Sequence, residues 1–276
     1  MKIGAGEMER MFHMSANGVR LYEKHGIIHP ERCEDNGYRV FDEEDKCAMG
    51  SGIQLRRFGF SMPETARLLG GADEQEQLAA MERRASELEK EIEHLRRVRS
   101  GLLIAAARAQ QAQALLEGCA LEEKPAMYFL ACRRGEQSVG SPGQLGEWME
   151  RYAPHLSDAA LLDGPYFLHG DYNREPLSGV AVDAEVALAL GLHQNEQVVY
   201  LPPKLCVVTA VRFGRRREIG AATERIRRYA REKGLSLFGC GLLRVAQCVR
   251  EDSGLVATAI IWAPLRQDER VFGSML

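Results

Sequence analysis

The sequence predicts an α+β protein with more than one domain, and three observations support this fold class. Residues 7–41 contain capped helical segments followed by a hairpin signal. Residues 73–117 form a proline-free segment with regularly spaced apolar side chains, and residues 124–266 alternate strand-like and helix-like segments. A chain of 276 residues, 45% of them hydrophobic, is long enough to bury more than one core.

The N-terminal segment predicts two short helices followed by a hairpin. The first helix spans residues 7–12, and a break follows it near His13. Ser15 is a helix-capping residue type because its hydroxyl accepts a hydrogen bond from a backbone N–H, so the second helix should cover residues 16–25. Asn36-Gly37 favours a tight turn with positive φ angles. This layout predicts a winged helix-turn-helix, whose second helix enters the major groove of DNA.

Two further helices are predicted after the hairpin. Asp42 can cap a helix that runs to about Arg57, although Gly50 and Gly52 lie inside it. Ser61-Met62-Pro63-Glu64 has the capping-box pattern that opens another helix, and Gly70-Gly71 ends it. The first domain is therefore expected to cover residues 1–72.

This segment resembles the N-terminal domain of MerR-family transcription regulators over about the first 70 residues. The residues that carry the resemblance are Gly6-Glu7-Met8, Ser15, Val19-Arg20-Leu21-Tyr22-Glu23, Gly26-Ile27-Ile28, Pro30, Asn36-Gly37-Tyr38-Arg39, Asp42-Glu43-Glu44-Asp45 and Leu55-Arg56-Arg57-Phe58-Gly59-Phe60-Ser61. The family usually has Gly where His13 stands and Tyr where Leu21 stands. Histidine tolerates a left-handed backbone better than a branched residue does, so the turn can be kept.

The residue pattern and the resemblance together predict the side chains that contact DNA. Polar and basic residues on a short helix can reach base edges or flanking phosphates, and a hairpin tip can reach the minor groove or the backbone. The predicted contacts are Ser15, Asn17, Arg20, Tyr22, Lys24, Tyr38, Arg39 and Arg57. The alternative is that Tyr22 and Tyr38 pack in the core of the small domain and that Arg20 pairs with Glu23.

The charge balance restricts the kind of DNA binding. With 36 basic and 39 acidic residues, a net charge of −3 and a pI of about 6.2, the chain lacks the positive field of a non-specific binder. Contact with double-stranded promoter DNA must then depend on a few placed side chains and on dimerisation. No apolar run is long enough to span a bilayer and no signal peptide precedes the first domain, so a cytoplasmic protein without a membrane partner is expected.

Residues 73–118 predict a long dimerisation helix. Its apolar residues alternate three and four positions apart, at Leu78, Met81, Ala85, Leu88, Ile92, Leu95, Leu102, Ala106, Ala109 and Leu116. A stripe this narrow cannot bury itself within one chain, so a homodimer is expected. The MerR resemblance implies an antiparallel coiled coil with one DNA reader at each end; the alternative is a helix that packs on its own C-terminal domain.

Residues 119–276 predict an α+β domain with a repeated pattern. Strands are expected at residues 125–133, 164–170, 180–190 and 204–213, helices at 144–155 and 221–233, and a hairpin at 242–249 with 255–263. Strand-helix-strand-strand thus occurs twice, which suggests a pseudo-symmetric sheet with two helices on one face. The outline resembles the GyrI-like effector-binding domain of multidrug-sensing regulators, with Ile260-Ile261-Trp262-Ala263-Pro264-Leu265 as the best local match.

That resemblance implies a small-molecule cleft between the two halves of the domain. Aromatic rings suit such a cleft because they bury flat ligands at low entropy cost; the predicted lining is Tyr128, Trp148, Tyr152, Tyr166 and Trp262, with His169 and Glu185. Taken alone, each aromatic residue is more often plain core than part of a binding site. Drug-sensing relatives often have a Glu at the position of Ile260, so weak selectivity for cations and a neutral or aromatic effector are expected here, unless Glu185, Asp183 or Asp171 reaches inward.

The absence of the common catalytic motifs from the sequence favours a regulator over an enzyme. The chain lacks a zinc-binding HExxH helix, a P-loop and a nucleophile elbow, so neither a catalytic site nor a metal or cofactor is predicted. Two alternatives stay open: a metal- or thiol-sensing MerR-type regulator that uses Cys119 and Cys132, or a GyrI-like hydrolase fused to a DNA reader. The basic stretch of residues 212–231 is interpreted as a solvated helix face, with a second anionic contact as its alternative. The resemblance implies RNA polymerase at the promoter as a partner.

Overall fold

The computed structural model describes residues 2–34, 36–140, 142–192, 198–252 and 254–266. The chain divides into two compact units, Met1–His94 and Leu95–Leu276. Within the described residues, no helix combines the length and the apolar composition needed to cross a membrane.

The first unit contains short helices and a small sheet. Its helices are α1 (Ala5–Phe12), α2 (Ala16–Lys24), α3 (Glu43–Arg57) and α4 (Met62–Gly70), and its strands are β1 (Ile3–Gly4), β2 (Glu31–Arg32) and β3 (Arg39–Phe41). The strands pair antiparallel in the order β1-β3-β2. Val19, Ile28, Phe41 and Met49 are buried together and pack the helices against this sheet.

The predicted starts of α2, α3 and α4 are confirmed by their caps, whereas α1 begins at Ala5 and not at the predicted residue 7. Ser15 Oγ accepts from Gly18 N–H at 3.2 Å, and Asp42 and Ser61 each form a capping box with the third residue of the helix that follows. His13 adopts the left-handed conformation with φ of 48° at the end of α1. His13, which stands where MerR-family proteins usually have Gly, therefore adopts the backbone conformation that a Gly would provide.

Helix α5 (Glu74–Ala114) is 41 residues long and begins in the first unit and ends in the second. At 1.5 Å per residue its length is about 62 Å. The predicted division into residues 1–72, 73–118 and 119–276 stays a prediction, because the boundary between the compact units lies inside this helix.

The second unit is a nine-stranded sheet with helices. Its strands are β4 (Ala120–Lys124), β5 (Met127–Arg134), β6 (Gln137–Ser138), β7 (Ser157–Leu162), β8 (Leu177–Asp183), β9 (Val198–Leu201), β10 (Lys204–Phe213), β11 (Gly241–Glu251) and β12 (Gly254–Pro264). Its helices are α6 (Pro142–Tyr152), a 3-10 turn (Ala153–His155), α7 (Gly164–His169), α8 (Ala184–Ala189) and α9 (Arg216–Glu232). The strand order is β4-β10-β12-β11-β7-β8-β5-β6, with β9 also pairing with β5.

The repeated pattern predicted from the sequence is present in this topology. One half is β5-α6-β7-β8 and the other is β10-α9-β11-β12, and the halves meet where β7 pairs with β11. Alternate residues on a strand point to opposite faces. On β10, Val207 and Val211 pack in the cluster of α9, whereas Val208 and Ala210 pack on the other face with Leu115.

Each half has its own apolar cluster on the face that its helix covers. Ile226 of α9 packs in one cluster, and Trp148 of α6 packs in the other with Val180 and Val182 of β8. The expectation of two helices on one face is therefore confirmed. The opposite face, which we call the α5 face, carries Ala112 and Leu115 from the end of the long helix region.

Two predicted strands are wrong. Residues 164–170 form helix α7, because the Asp163 carboxylate accepts from Tyr166 N–H at 3.0 Å and caps a helix whose first turn contains Pro165. Residues 180–190 are a strand only as far as Asp183, where α8 begins. Strands β4, β6, β7 and β9 have no counterpart among the sequence predictions.

Candidate DNA interface and effector cavity

Helix α2 presents a polar surface to solvent. Asn17, Arg20 and Lys24 are exposed, and the Arg20 guanidinium lies 3.4 Å from Asn17 Oδ1. Ser15 uses its hydroxyl to cap the helix. The alternative pairing of Arg20 with Glu23 is not what the structure contains. Apart from the Nη1 that donates to Asn17, this exposed guanidinium keeps donors available for base edges or phosphates.

The hairpin of β2 and β3 forms the wing. Gly37 has φ of 69°, and Asn36 Oδ1 accepts from Tyr38 N–H at 3.0 Å, which closes the turn. Tyr38 is 73% exposed, so it does not pack in the core as the alternative proposed. An aromatic side chain left this far in water at a hairpin tip is positioned to meet a partner.

Arg39 is placed differently from the other predicted contacts. Its Nε lies 2.8 Å from a carboxylate oxygen of Glu23 on α2, and both side chains are partly buried. This ion pair joins the wing to α2. Because Glu23 already compensates the charge of Arg39, the side chain holds the wing against α2.

Tyr22 and Arg57 complete the predicted set. Tyr22 is only 6% exposed and packs with Val19, Ile27 and other core residues, and burial raises the pKa of its hydroxyl. Core packing is thus the interpretation that its placement favours. Arg57 ends α3 and is exposed.

The predicted effector aromatics do not line one cleft. Tyr128, Trp148 and Tyr152 are buried in the cluster of α6, Tyr166 is buried in the cluster of α9, and Trp262 lies on the α5 face. The sequence prediction of a shared lining is therefore corrected, because the sheet and its helices separate these rings. The rings on the face that α6 and α9 cover pack in the core. Trp148 and Tyr152, for example, meet edge to face with centroids 5.5 Å apart.

His169 and Glu185 also lie apart from Trp262. His169 is exposed and borders a surface depression with Tyr172, Arg217 and Arg227. Glu185 is exposed on α8, and Asp171 is exposed as well. Neither carboxylate reaches the α5 face through the contacts described.

Trp262 lines a cavity of about 270 Å³ in the second unit. The described lining residues are Lys124, Leu161, Leu201, Pro202, Lys204, Phe238, Gly239, Cys240, Leu242, Trp262 and Pro264. Leu242 and Trp262 pair across β11 and β12 and point to the α5 face. Of the predicted effector residues, Trp262 is the one found in this lining.

Lys124 is the unusual member of the lining. It is 5% exposed, and its ammonium donates to the carbonyl oxygens of Pro125, Leu201 and Pro202 at 2.9, 3.3 and 2.8 Å. Burial lowers the pKa of Lys124 to about 8, with Arg244 acting in the same direction, while Cys206 and Asp183 oppose the shift. Sequence reasoning missed this residue, because lysine is almost never buried and no motif surrounds it.

An ionic cluster lies on the same face. The two terminal guanidinium nitrogens of Arg244 donate to the Asp183 carboxylate, at 2.6 and 3.2 Å. The Nε of Arg244 donates to Ser157 Oγ at 2.5 Å. Arg108 of α5 lies 3.8 Å from the same carboxylate, and burial lowers the pKa of Arg108 to about 10. Asp183 therefore reaches inward, but its charge is already engaged by two arginines, and Ile260 beside them is fully buried and apolar.

The basic stretch on α9 is only partly a solvated face. Arg225 donates to Ala210 O at 2.6 Å and Arg227 donates to Phe167 O at 3.1 Å, so these two are tied to the body of the unit. Arg228 and Arg231 are exposed, as expected.

The thiols offer little to a metal ion. Cys119 and Cys132 are half-buried, and burial raises the pKa of both, which disfavours the thiolate that binds metals. Among the described residues, no group of three or more His, Cys, Asp or Glu side chains is arranged to hold a metal ion.

The N-terminal part of the chain is similar to known transcription regulators. The family described as "MerR HTH family regulatory protein" matches residues 4–71. The HTH-type transcriptional regulator CueR of Escherichia coli O157:H7 is 28% identical over 102 residues, which cover 35% of this chain and 76% of that protein. CueR of Vibrio cholerae serotype O1 is 30% identical over 87 residues, covering 31% and 63%. The names of these relatives describe regulators, not enzymes.

Solved structures are more distant. An EcmrR–DNA complex from a cryo-EM structure aligns over 96% of this chain and 100% of that chain, with a TM-score of 0.38 and 16% identity. HiNmlR bound to promoter DNA aligns over 42% of this chain and 91% of that chain, with a TM-score of 0.32 and 26% identity. Likeness at this level says little about function. The match over residues 4–71, however, falls on the capped helices and hairpin described above, and the chain is therefore a DNA-binding transcription regulator with a MerR-type helix-turn-helix domain.

Proposed function

We propose that the chain is a homodimeric, ligand-responsive regulator that binds a palindromic promoter site. Two of its readers would contact the two half-sites through α2 and the wing. A small aromatic molecule in the second unit, which we interpret as a GyrI-like effector domain, would untwist and bend the DNA so that RNA polymerase can use the promoter.

The observation that carries this proposal is the apolar stripe on α5. Its large members are separated by three, four or seven residues and are between 37% and 67% exposed: Leu78, Met81, Leu88, Ile92, Leu95 and Leu102. Burying such side chains releases roughly 25 cal/mol per Å² of apolar surface. A heptad pattern calls for a partner helix over this stripe. We take the partner to be a second copy of α5, antiparallel as the MerR resemblance implies.

Transmission from the second unit to α5 has a physical route. Arg108 lies on α5 and contacts Asp183, which is also bonded to Arg244 on the sheet. The α5 face also carries the cavity with Trp262. An effector can shift the promoter-bound equilibrium only by its difference in affinity for two shapes, typically about 1 to 3 kcal/mol.

The DNA-binding part is tested by selecting duplexes from a randomised pool with the full chain. We expect an inverted repeat. Replacing Arg20 by Ala should then weaken binding to the selected duplex by about 1 to 3 kcal/mol, or roughly 5- to 150-fold, in a gel-shift titration. Arg83→Ala removes an exposed charge elsewhere in the same unit and is the control. Equal affinities for the two variants would contradict the role of Arg20.

The dimer is tested by sedimentation. Leu88→Gln places an amide in the stripe, whereas Glu89→Gln places the same amide beside the stripe, at an exposed position. We expect the first variant to dissociate at higher concentration than the second. A monomeric unchanged chain at micromolar concentration would remove the basis of the proposal.

A further inference from the structure

The cavity lined by Trp262 has the size of a small aromatic molecule. A cavity of about 150 Å³ holds one benzene ring. About 270 Å³ therefore leaves room for two fused rings. Its walls include the rings of Trp262 and Phe238, which offer flat apolar surfaces to such a ligand.

The charges around the cavity have one sign. Lys124 and Lys204 line it, and no carboxylate is among the lining residues that the structure describes. Lys204 Nζ lies 5.3 Å from the Phe238 ring centroid, and Arg266 lies 5.6 Å from the same centroid. The hydrogen bonds of Lys124 go to neutral carbonyl oxygens. The positive charge at the cavity is thus solvated by dipoles but not neutralised.

Trp262, one of the lining residues, also carries a hydrogen-bond donor without an acceptor among the described residues. The indole N–H of Trp262 is buried and finds no acceptor within the described part of the chain, and Trp262 is 3% exposed. A buried donor without a partner is costly. A ligand oxygen near Trp262 would remove that cost.

A cationic ligand does not suit these surroundings. The carboxylate of Asp183, on the same face of the sheet, is bonded to Arg244 and lies 3.8 Å from Arg108. Ile260, beside Trp262 on the same face, is apolar. A cation would meet two lysines and no free carboxylate among the described residues.

We propose that this cavity binds a planar aromatic anion of one or two rings, with its carboxylate directed to the lysines and the Trp262 N–H. This inference rests on the proposed effector role of the second unit and names its ligand class. The ring would lie against Trp262 and Phe238.

The test uses three probes of one shape on the full chain: 2-naphthoate, 2-naphthamide and 2-naphthylmethylammonium. Binding is measured by calorimetry and by tryptophan fluorescence in a Trp148→Phe background, which leaves Trp262 as the reporter. We expect naphthoate to bind at least about tenfold more tightly than the amide, because hydrogen bonds to a charged group are stronger than neutral ones. The proposal is overturned if the amide or the ammonium compound binds as tightly.

Variants locate the site. Trp262→Phe keeps a ring and removes the N–H, and Lys204→Met removes one charge from a partly exposed position. Each should weaken naphthoate binding by roughly threefold or more. Lys233→Met makes the same charge change at an exposed residue outside the lining and should leave the affinity unchanged. If both cavity variants bind naphthoate like the Lys233 variant, the anion does not occupy this cavity and the proposal is wrong.

Promoter transcription separates this inference from the effector role. If naphthoate binds with the expected preference and leaves transcription unchanged, the anion site stands and the effector role fails. If a neutral or cationic compound occupies the cavity more tightly than naphthoate and changes transcription, the effector role stands and the anion assignment fails.

Discussion

Two glycines on helices of the second unit should respond in opposite ways to the same substitution. Gly101 lies in α5 and Gly146 lies in α6. Alanine is favoured over glycine in a helix by about 1 kcal/mol. A Cβ at Gly146 would meet nothing within 4 Å, but a Cβ at Gly101 would lie 2.0 Å from the carbonyl oxygen of Pro154.

The contact at Gly101 decides the sign there. Its neighbour is backbone, which cannot turn away as a flexible side chain can, so the upper part of the usual overpacking cost of about 1 to 3 kcal/mol applies. Subtracting the helix gain of about 1 kcal/mol leaves a net loss of about 1 to 2 kcal/mol for Gly101→Ala. Gly146→Ala should gain up to about 1 kcal/mol.

Urea unfolding followed by tryptophan fluorescence measures both changes. The chain has two tryptophans, Trp148 and Trp262, and both lie in the second unit, so the signal reports on that unit. We expect the midpoints to move in opposite directions with unchanged slopes. A stabilised Gly101→Ala variant would refute the argument that α5 docks closely on the turn at Pro154.

Three other predictions concern charge and exposure. Asp183→Asn should lower the stability of the second unit by about 2 kcal/mol in the same assay, below the usual 3 to 5 kcal/mol for a broken buried pair because Asp183 is partly exposed. Naphthoate affinity should fall as pH rises through about 8, since the lowered pKa makes Lys124 lose its proton there while the ligand stays ionised. Tyr38→Ala should weaken DNA binding about tenfold in gel shifts without changing stability, because its exposed side chain contributes little to the core.

Each of these has a contrary outcome. An Asp183→Asn variant as stable as an exposed Asp158→Asn control would mean that Arg244 does not depend on its carboxylate. If the naphthoate affinity does not change with pH, or if the affinity for 2-naphthamide falls equally, the charge of Lys124 does not contribute to binding. Unchanged DNA affinity in Tyr38→Ala would leave the wing tip without a DNA contact.

Local signals were enough for most of the first unit. Ser15, Asp42 and Ser61 specify where helices begin through bonds to backbone only a few residues away, so their caps can be read without tertiary structure. Asp163 with Pro165 is the same kind of helix-start signal, but the apolar residues that follow led to the prediction of a strand at residues 164–170. Short apolar segments do not distinguish a buried helix from a strand.

The cavity depended on information that the sequence does not carry. Alternation along β12 separates Ile261 from Trp262, but it does not say which face a helix covers. Lys124 enters the site because β4 joins the sheet beside β10, far along the chain. Trp262 lines the cavity, and its role toward an effector stays a prediction, whereas the other aromatics belong to cores that only the topology defines.

Among the central strands β12, β11, β7 and β8 of the sheet, the pairing is shortest between β11 and β7, where the two halves meet. β11 and β7 pair over four residues, from Gly241 with Leu162 to Arg244 with Ala159, whereas β10 and β12 pair over eight. Fewer shared hydrogen bonds make this line the easiest place for the sheet to twist, and its amides should exchange earliest among the central strands. The two repeats can then rotate relative to each other as rigid units, each with its own packed helix. Such a rotation would first strain the hydrogen bonds that Arg244 makes from β11 to β7 and β8.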